Sequence, residues 1–493
     1  MSNFNEFLYG SNKSTWPINT FCGKSIYLDM EQYIINLEEK YLDFKLGEEQ
    51  RSVLLSIFSF INDPDENQVA LVGIGGSGKS SITKLIIRYL EQEDISYIIA
   101  TPTHKARRVI SEFTDRDVYT IHQLLSLRPS LDILDLDFKD LQFDHDTIDN
   151  SIPRNGILII DEASMVNEIL FDFIVESCKQ KSCKILWILD EKQLCPVKDR
   201  KLSKATQIEK VYRLNKIYRQ TNDNPILDIL LELRDKPKYK FNEIISDKGN
   251  LIIYSNWQKF IGSNIDLFKA SVKFEDPNHV KLLAYTNKRV DAFNQVIRKS
   301  IFNTSQEYVV GDILMAHDNC EFGKGFLTNK LYNSNDYIVR KVLPYAQPIN
   351  GIMTGGYLLT LYSVYEEITF DVYVLSTDNN EEIFHQIAGS LEIIRLDAIQ
   401  TKNKKERNRK WVNYFKVLAS FLTPIDLTYC GRIVRSKSIG YGYCLSVHKS
   451  QGSSFNTVLV DMNNILRCTN QMELRQLQYV AMSRTRKNIN ILI

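Results

Sequence analysis

Net charge is what this sequence of 493 residues most obviously lacks: 61 lysines and arginines stand against 60 aspartates and glutamates, a balance of +1. A globally cationic surface is thereby excluded as the means of holding a polyanion, so a nucleic-acid partner would need a local groove with stacking and hydrogen-bonding groups. A C-x-x-C pair is also missing. The eight cysteines (Cys22, Cys178, Cys183, Cys195, Cys320, Cys430, Cys444, Cys468) are scattered, which argues against a zinc site or a disulfide framework and for reduced thiols. No apolar run approaches the roughly 18 to 20 residues that cross a bilayer, and the opening MSNFNEF has neither the basic nor the apolar region of a secretory leader. The expectation is a cytoplasmic protein with no membrane partner. Internal repeats, low-complexity tracts and a nuclease-type carboxylate cluster are absent too.

What is present is ordinary globular material, 44% hydrophobic and 25% charged, in a chain long enough for roughly two to four compact units. From Gln68 to Asp161 short apolar runs (VALVGI, ISYIIATPT, GILIIDEAS) alternate with amphipathic stretches such as SITKLIIRYLEQ. Buried strands alternating with helices predict a parallel α/β sheet. The alternation resumes with CKILWILD (183–190), VKLLAYT (280–286), NTVLVDM (456–462) and NINILI (488–493), which suggests a second α/β unit built from separated pieces. Two regions interrupt it. Residues 123–155 hold seven aspartates among alternating apolar residues, as in LDLDFKDLQF, a pattern for a small β-hairpin. Residues 301–440 are strand-rich and end in TKNKKERNRK followed by the aromatic helix WVNYFKVLASF.

The segment GIGGSGKS, Gly73 to Ser80, follows an apolar strand and opens a helix. Chemistry requires that order. Glycines at 75, 76 and 78, with Ser77, let backbone N–H groups curl around phosphates; the helix start adds positive potential; Lys79 supplies a mobile cation and Ser80 a hydroxyl for Mg²⁺. The strand ending Ile159, Ile160, Asp161, Glu162 suits the other half of such a site, with Asp161 holding Mg²⁺ and Glu162 orienting or deprotonating the attacking water. Together these elements specify only an NTPase; kinases, transporters and GTPases would satisfy them too.

The class comes from further motifs in fixed order, which resemble those of the superfamily 1B helicases, the RecD/Dda-like branch, and within it the phage Dda group. Gln50 in FKLGEEQRSVL looks like the residue that reads adenine. Thr101, Pro102, Thr103 and His104 resemble motif Ia, and Thr120 with His122 the following DNA-contacting segment. DEAS (161–164) is similar to motif II, and DEKQLCPV (190–197) to motif III, whose Gln193 would sense the γ-phosphate; Leu189 and Cys195 depart from the usual pattern there. Arg219 in LNKIYRQ and Arg484 in YVAMSRTR look like arginine fingers. Thr286, Asn287 and Asn294 resemble a further DNA-binding segment, and SVHKSQG, with Ser446, His448 and Gly452, resembles motif V.

The resemblance covers residue 42 to the C-terminus and implies a fold of two RecA-like P-loop NTPase domains with a small β-hairpin insert (1B) and a β-barrel, SH3-like insert (2B). Domain 1A would be 1–122 and 153–210, 1B 123–152, 2A 211–300 and 441–493, and 2B 301–440. It implies translocation on single-stranded DNA, 5′-to-3′, with ATP hydrolysed between 1A and 2A as the domains close. A translocase that displaces proteins with little processive unwinding is the alternative. Partners implied are single-stranded and fork DNA and phage replication or recombination proteins, met by a monomer in the host cytoplasm if the chain is phage-encoded. Phe138 would tip a strand-splitting pin, with Phe143 the competing candidate and a core role for Phe138 equally open. His104, His122 and His448, three of seven histidines, fall in DNA-facing motifs. The run TKNKKERNRK reads as a solvated loop or, with the adjacent Trp411, Tyr414 and Phe415, as a surface tracking a DNA strand.

Overall fold

The computed structural model describes residues 25–125, 151–194, 202–216, 218, 225–235, 240–324 and 327–493. The expected pin hairpin with Phe138 and Phe143, the Cys195 turn position and Arg219 lie outside these residues.

Six parallel strands, β1 (Gln68–Gly73), β2 (Tyr97–Thr101), β3 (Tyr119–Thr120), β4 (Ile157–Ile160), β5 (Lys184–Leu189) and β6 (Val211–Leu214), form the first sheet in the order β3-β2-β4-β5-β1-β6. Its central strands are apolar at nearly every position because both faces are covered. Val69, Leu71, Ile157, Ile159, Leu186 and Ile188 pack on one side with the helices Glu48–Asn62 and Lys79–Gln92. Ala70, Val72, Leu158, Ile160, Trp187 and Leu189 pack on the other with the helix Glu168–Gln180, where Trp187 stacks on Phe171. The run CKILWILD, grouped above with the later series, is thus the middle of the first sheet. β6 also belongs here through its pairing with β1, so the expected boundary at residue 210 falls one strand too early.

The second unit begins with β7 (Leu251–Tyr254) and β8 (Val280–Ala284) and then departs into the strand-rich insert. There β9 (Ile313–Ala316), the ribbon β10 (Cys320–Lys324) and β11 (Leu327–Leu331), and the long β12 (Asp336–Ile349), β13 (Ile352–Ser363) and β14 (Ile368–Leu375) are followed by two helices. Another ribbon, β15 (Leu427–Tyr429) and β16 (Arg432–Arg435), precedes β17 (Ile439–Tyr441). Five of these make an antiparallel sheet in the order β14-β13-β12-β9-β17. Its two edges are joined by Leu422 and Thr423: Leu375 N–H donates to Leu422 O and Leu422 N–H to Tyr373 O, while Ser438 and Ile439 N–H donate to Thr423 O. Closure removes the exposed edges, and alternate residues Tyr337, Val339, Leu359, Leu361, Phe370, Val372 and Val374 fill the interior.

The chain then returns to the second sheet with β18 (Cys444–Ser446), β19 (Phe455–Asp461) and β20 (Thr485–Leu492), giving five parallel strands in the order β18-β8-β19-β20-β7. Residues of β8 and β19 alternate between two apolar layers, Leu283 and Val460 in one, Leu282 and Leu459 in the other.

TKNKKERNRK departs from the loop expectation. Asn403 caps a single helix, Lys404–Leu418, that includes five of the six basic residues together with Trp411, Tyr414 and Phe415. Helical spacing turns Trp411 and Tyr414 inward, each 1% exposed, against the helix Glu381–Gln400. They are core residues and are not available to stack on DNA. Among the described residues no helix is long and apolar enough to cross a membrane.

Two buried ion pairs fasten the barrel to the second domain. Lys281 on β8 meets Asp336 on β12 at 2.8 Å, both side chains 1% exposed, and Arg298 holds Asp312 through both carboxylate oxygens. Removing one partner leaves the other charge buried and unpaired, which costs about 3–5 kcal/mol. Asp336→Ala should therefore lower stability in urea unfolding by about that amount, whereas Arg340→Ala, which breaks the half-exposed pair with Glu275, should cost less than about 1 kcal/mol.

Candidate functional site

Parallel strands send their carboxyl ends to one edge, and on the first sheet β1, β5 and β4 are neighbours, so the phosphate-binding loop, the Asp190–Gln193 turn and the Asp161–Glu162 pair emerge side by side. The loop bends where glycine is needed. Gly76 and Gly78 have φ of 85° and 87°, a region costly for a residue with a side chain. A Cβ on Gly78 would in addition lie 2.2 Å from Gln50 Nε2. Lys79 Nζ donates to the carbonyls of Gly73 (2.7 Å) and Ile74 (3.2 Å), folded against the rim of its own loop.

Gln50 is 1% exposed and sits behind the loop. Its Nε2 donates to Ser77 O (2.9 Å) and its Oε1 accepts from Gly47 N–H (2.9 Å). One amide proton and one lone pair remain for a base, so the geometry gives this residue a loop-supporting role besides the expected reading of adenine.

Facing the loop across a cleft of about 500 Å³ is the second domain. The lining brings together Gly75, Gly76, Gly78, Lys79, Ser80, Asp161, Glu162 and Gln193 from the first domain with Gly452, Ser453, Arg484 and Arg486 from the second. Asp161 is pushed up to about 7 by burial and by Glu162, with Lys79 opposing. Glu162 adopts φ 55°, an uncommon conformation for a non-glycine residue and one that clusters at functional sites. A hydroxyl at Ser80 and a buried carboxylate at Asp161 make an oxygen donor set that suits a hard cation completed by phosphate and water. Arg484, 7% exposed, is held over the cleft by the carbonyls of Val480 and Ser453. Gln193 Oε1, Ser77 Oγ, Ser453 Oγ and both polar ends of Gln451 are buried without a hydrogen-bond partner among the described residues. Such groups are costly unless a ligand or a conformational change satisfies them. Arg219 is outside the described residues; its neighbour Tyr218 donates its N–H to Gly76 O at 2.8 Å, so the chain passes the loop at that point.

On the other side of the same interface runs a groove of about 1020 Å³. Seven of the described residues expected to face DNA line it: Thr103, His104, His122, Thr286, Asn287, Ser446 and His448. The two domains contribute matching parts, because Thr103 and Thr286 stand at the N-caps of the helices His104–Thr114 and Asn287–Phe302. Helix starts offer N–H donors and positive potential to phosphates. His104 is held down to about 4 by burial, with Arg107, His122 and Lys330 adding to the effect; burial lowers His122 and His448 too. These rings are neutral near pH 7, which leaves them stacking and hydrogen bonding as means of contact. His104 packs on Tyr332 of the barrel at 4.7 Å.

One expected groove residue is elsewhere. Asn294 is buried, with Nδ2 donating to Cys444 O and Oδ1 accepting from the N–H groups of Tyr443 and Cys444; it fastens its helix to β18. Conversely, sequence reasoning missed Lys105, Lys449, Tyr285 and the barrel residues Asn319, Asn333 and Ser334, all of which line the groove. Lys105 and Lys449 were within reach as neighbours of His104 and His448, whereas no local pattern marks the asparagines. Tyr479, which bridges the two domains, was also missed.

Gln50→Ala loses the bond to the loop at Ser77 O and the bond that caps its own helix at Gly47 N–H, about 2 kcal/mol together. Gln50→Ala should therefore raise the KM for ATP on the order of tenfold with a smaller change in kcat, in steady-state ATPase assays. An unchanged KM together with lost preference for ATP over GTP would instead assign the residue to base reading alone.

Residues 45–253 match a family model described as an AAA domain, and residues 441–492 match the UvrD-like helicase C-terminal domain. An uncharacterized protein of Acanthamoeba polyphaga mimivirus is 25% identical over 493 aligned residues, covering 89% of this chain and 97% of that protein. The ATP-dependent DNA helicase dda of Enterobacteria phage T4 is 25% identical over 284 residues, 55% of this chain and 61% of that one. The RecD subunit of the RecBCD enzyme of Buchnera aphidicola subsp. Schizaphis graminum is 23% identical over 515 residues, 94% of this chain and 75% of that one. The phosphate-binding half and the helicase C-terminal half are thus present in that order, and the chain is similar to the Dda and RecD helicases.

Proposed function

We propose that the chain is an ATP-dependent DNA helicase that hydrolyses Mg-ATP in the cleft and uses the resulting domain motion to travel along single-stranded DNA in the groove, 5′-to-3′. One observation carries this reading: the same short segments line both sites. Gln193 faces the cleft and Leu194 the groove; Gly452 and Ser453 face the cleft, while Gln451, Lys449 and His448 face the groove. A shift of either segment on nucleotide binding is felt one residue away by the strand.

In the cleft, loop N–H groups and Lys79 bind the phosphates, Ser80 and Asp161 hold Mg²⁺, and Glu162 orients the attacking water. Mg²⁺ when bound neutralises charge on the phosphates. Arg484, with Arg219, stabilises the charge that develops on the γ-oxygens, and because Arg484 belongs to the second domain, this stabilisation is complete only when the domains close. Gln193 reads the γ-phosphate. In the groove, Thr103, Thr286 and Ser446 meet the sugar-phosphate backbone, and His104, His122 and His448 lie against sugars or bases, a grip independent of sequence. The polarity rests on the family resemblance.

Partial duplexes with a 5′ or a 3′ single-stranded tail test activity and direction together. The 5′-tailed substrate should open in the presence of Mg-ATP and the 3′-tailed one should not. Single-stranded DNA should accelerate ATP turnover, and Lys79→Ala should reduce turnover on the order of 100-fold or more while still binding DNA. Opening of the 3′-tailed substrate alone would reverse the polarity, and turnover indifferent to DNA would remove the motor reading.

The pH dependence of DNA binding follows from the groove's titratable groups. Burial lowers Lys105 and Lys449 to about 8 each, with Lys437 adding to the effect on Lys449. Phosphate favours their charged forms, so affinity is fully present below that value and declines as pH rises through it. The histidines are already neutral. Fluorescence anisotropy with labelled oligo-dT at fixed salt should show affinity nearly flat from pH 6 to 7.5 and weakening above pH 8; strengthening as pH falls through 6.5 would contradict the histidine assignment.

A further inference from the structure

Tyr479 belongs to the helix Gln471–Ser483 of the second domain, and its ring is packed in that domain's core with Leu477 and Val480. Its hydroxyl reaches into the first domain. There it accepts from Gly75 N–H of the phosphate-binding loop at 3.0 Å and donates to Asp190 Oδ2 at 2.9 Å. Asp190 is itself the anchor of the turn that carries Gln193. Its other carboxylate oxygen accepts from Lys192 N–H and its carbonyl from Gln193 N–H. One side chain therefore ties three elements together: the loop, the Gln193 turn, and the helix that ends at Arg484.

The hydroxyl has a single proton to give, and here it goes to Asp190. Gly75 also lines the cleft, and a phosphate seated on the loop draws on the inward N–H groups. A phosphate oxygen and the Tyr479 hydroxyl therefore compete for the Gly75 N–H. When the phosphate takes it, the Tyr479 O–H can turn its hydrogen bond from Asp190 to a phosphate oxygen, and the Gln193 turn loses its tie to the second domain. Arg484 caps the helix that carries Tyr479 and is bonded back to Val480 O, so the same event resets the position of the arginine.

We propose that Tyr479 is a positioning residue whose hydroxyl registers a phosphate at the Gly75 amide and passes that signal to Arg484 and to the Gln193 turn, and through that turn to the DNA groove. This rests on the ATPase reading given above. Tyr479→Phe keeps the ring in its core and removes both bonds. The factor by which single-stranded DNA raises kcat should fall tenfold or more, while a fluorescent non-hydrolysable ATP analogue should bind at least threefold tighter because Gly75 no longer has a competing acceptor. Asp190→Ala combined with Tyr479→Phe should cost no more stimulation than the worse single variant, since both cut the same connection. Stimulation and analogue affinity within twofold of wild type would overturn the proposal, as would weakened analogue binding or strictly additive losses in the double variant. A wild-type chain without DNA-stimulated turnover would refute the ATPase-motor reading itself; a stimulated wild type with an indifferent Tyr479→Phe would refute only this inference.

Discussion

Everything in this molecule depends on the direction of its strands. A parallel sheet delivers all its carboxyl ends to one edge, and the order β4-β5-β1 puts the acidic pair, the Gln193 turn and the phosphate-binding loop on adjacent strands. The second sheet is parallel as well, and the loop after β18 carries Ser446 to Gly452 to the same interface. Two edges brought face to face leave two lined spaces, a compact polar cleft and a longer groove, with backbone segments one or two residues wide between them.

Part of the local cost that the structure tolerates falls at that interface. Buried polar atoms without partners at Ser77, Gln193, Gln451 and Ser453 and a left-handed Glu162 all lie at the interface. The sheets behind it are packed on both faces by aliphatic and aromatic layers. Strain and unsatisfied groups persist where surrounding packing holds them in place, and here two well-filled cores do so.

Legibility in the sequence followed the range of the determining contacts. The loop at Gly73–Ser80 is fixed by local rules, glycines where φ must be positive and a helix start directly after, so it could be read outright. The acidic pair ending β4 and the histidine-bearing segments were legible as short patterns, and the structure brings the described members of each set together. Asn294 misled because a helix-facing asparagine that ties down a strand has the same local appearance as one that faces a ligand. Trp411 and Tyr414 misled because a basic run beside aromatics suggests a surface, until one continuous helix turns the rings inward. β6 could not be assigned from its own residues, since four residues of strand pattern carry no information about which sheet they join. Tyr479 was invisible as a bridge because its partners at Gly75 and Asp190 are hundreds of residues away along the chain.

The barrel's two kinds of attachment differ in stiffness. Toward the second domain it is pinned by charged groups in fixed geometry, Lys281 with Asp336 and Arg298 with Asp312. Toward the first domain it offers ring faces, Tyr332 beneath His104 and Tyr365 beneath Arg108. Flat faces slide over one another with little directional penalty, whereas a buried ion pair cannot shift without losing its partner. The barrel is accordingly held to the second domain by the stiffer of its two attachments.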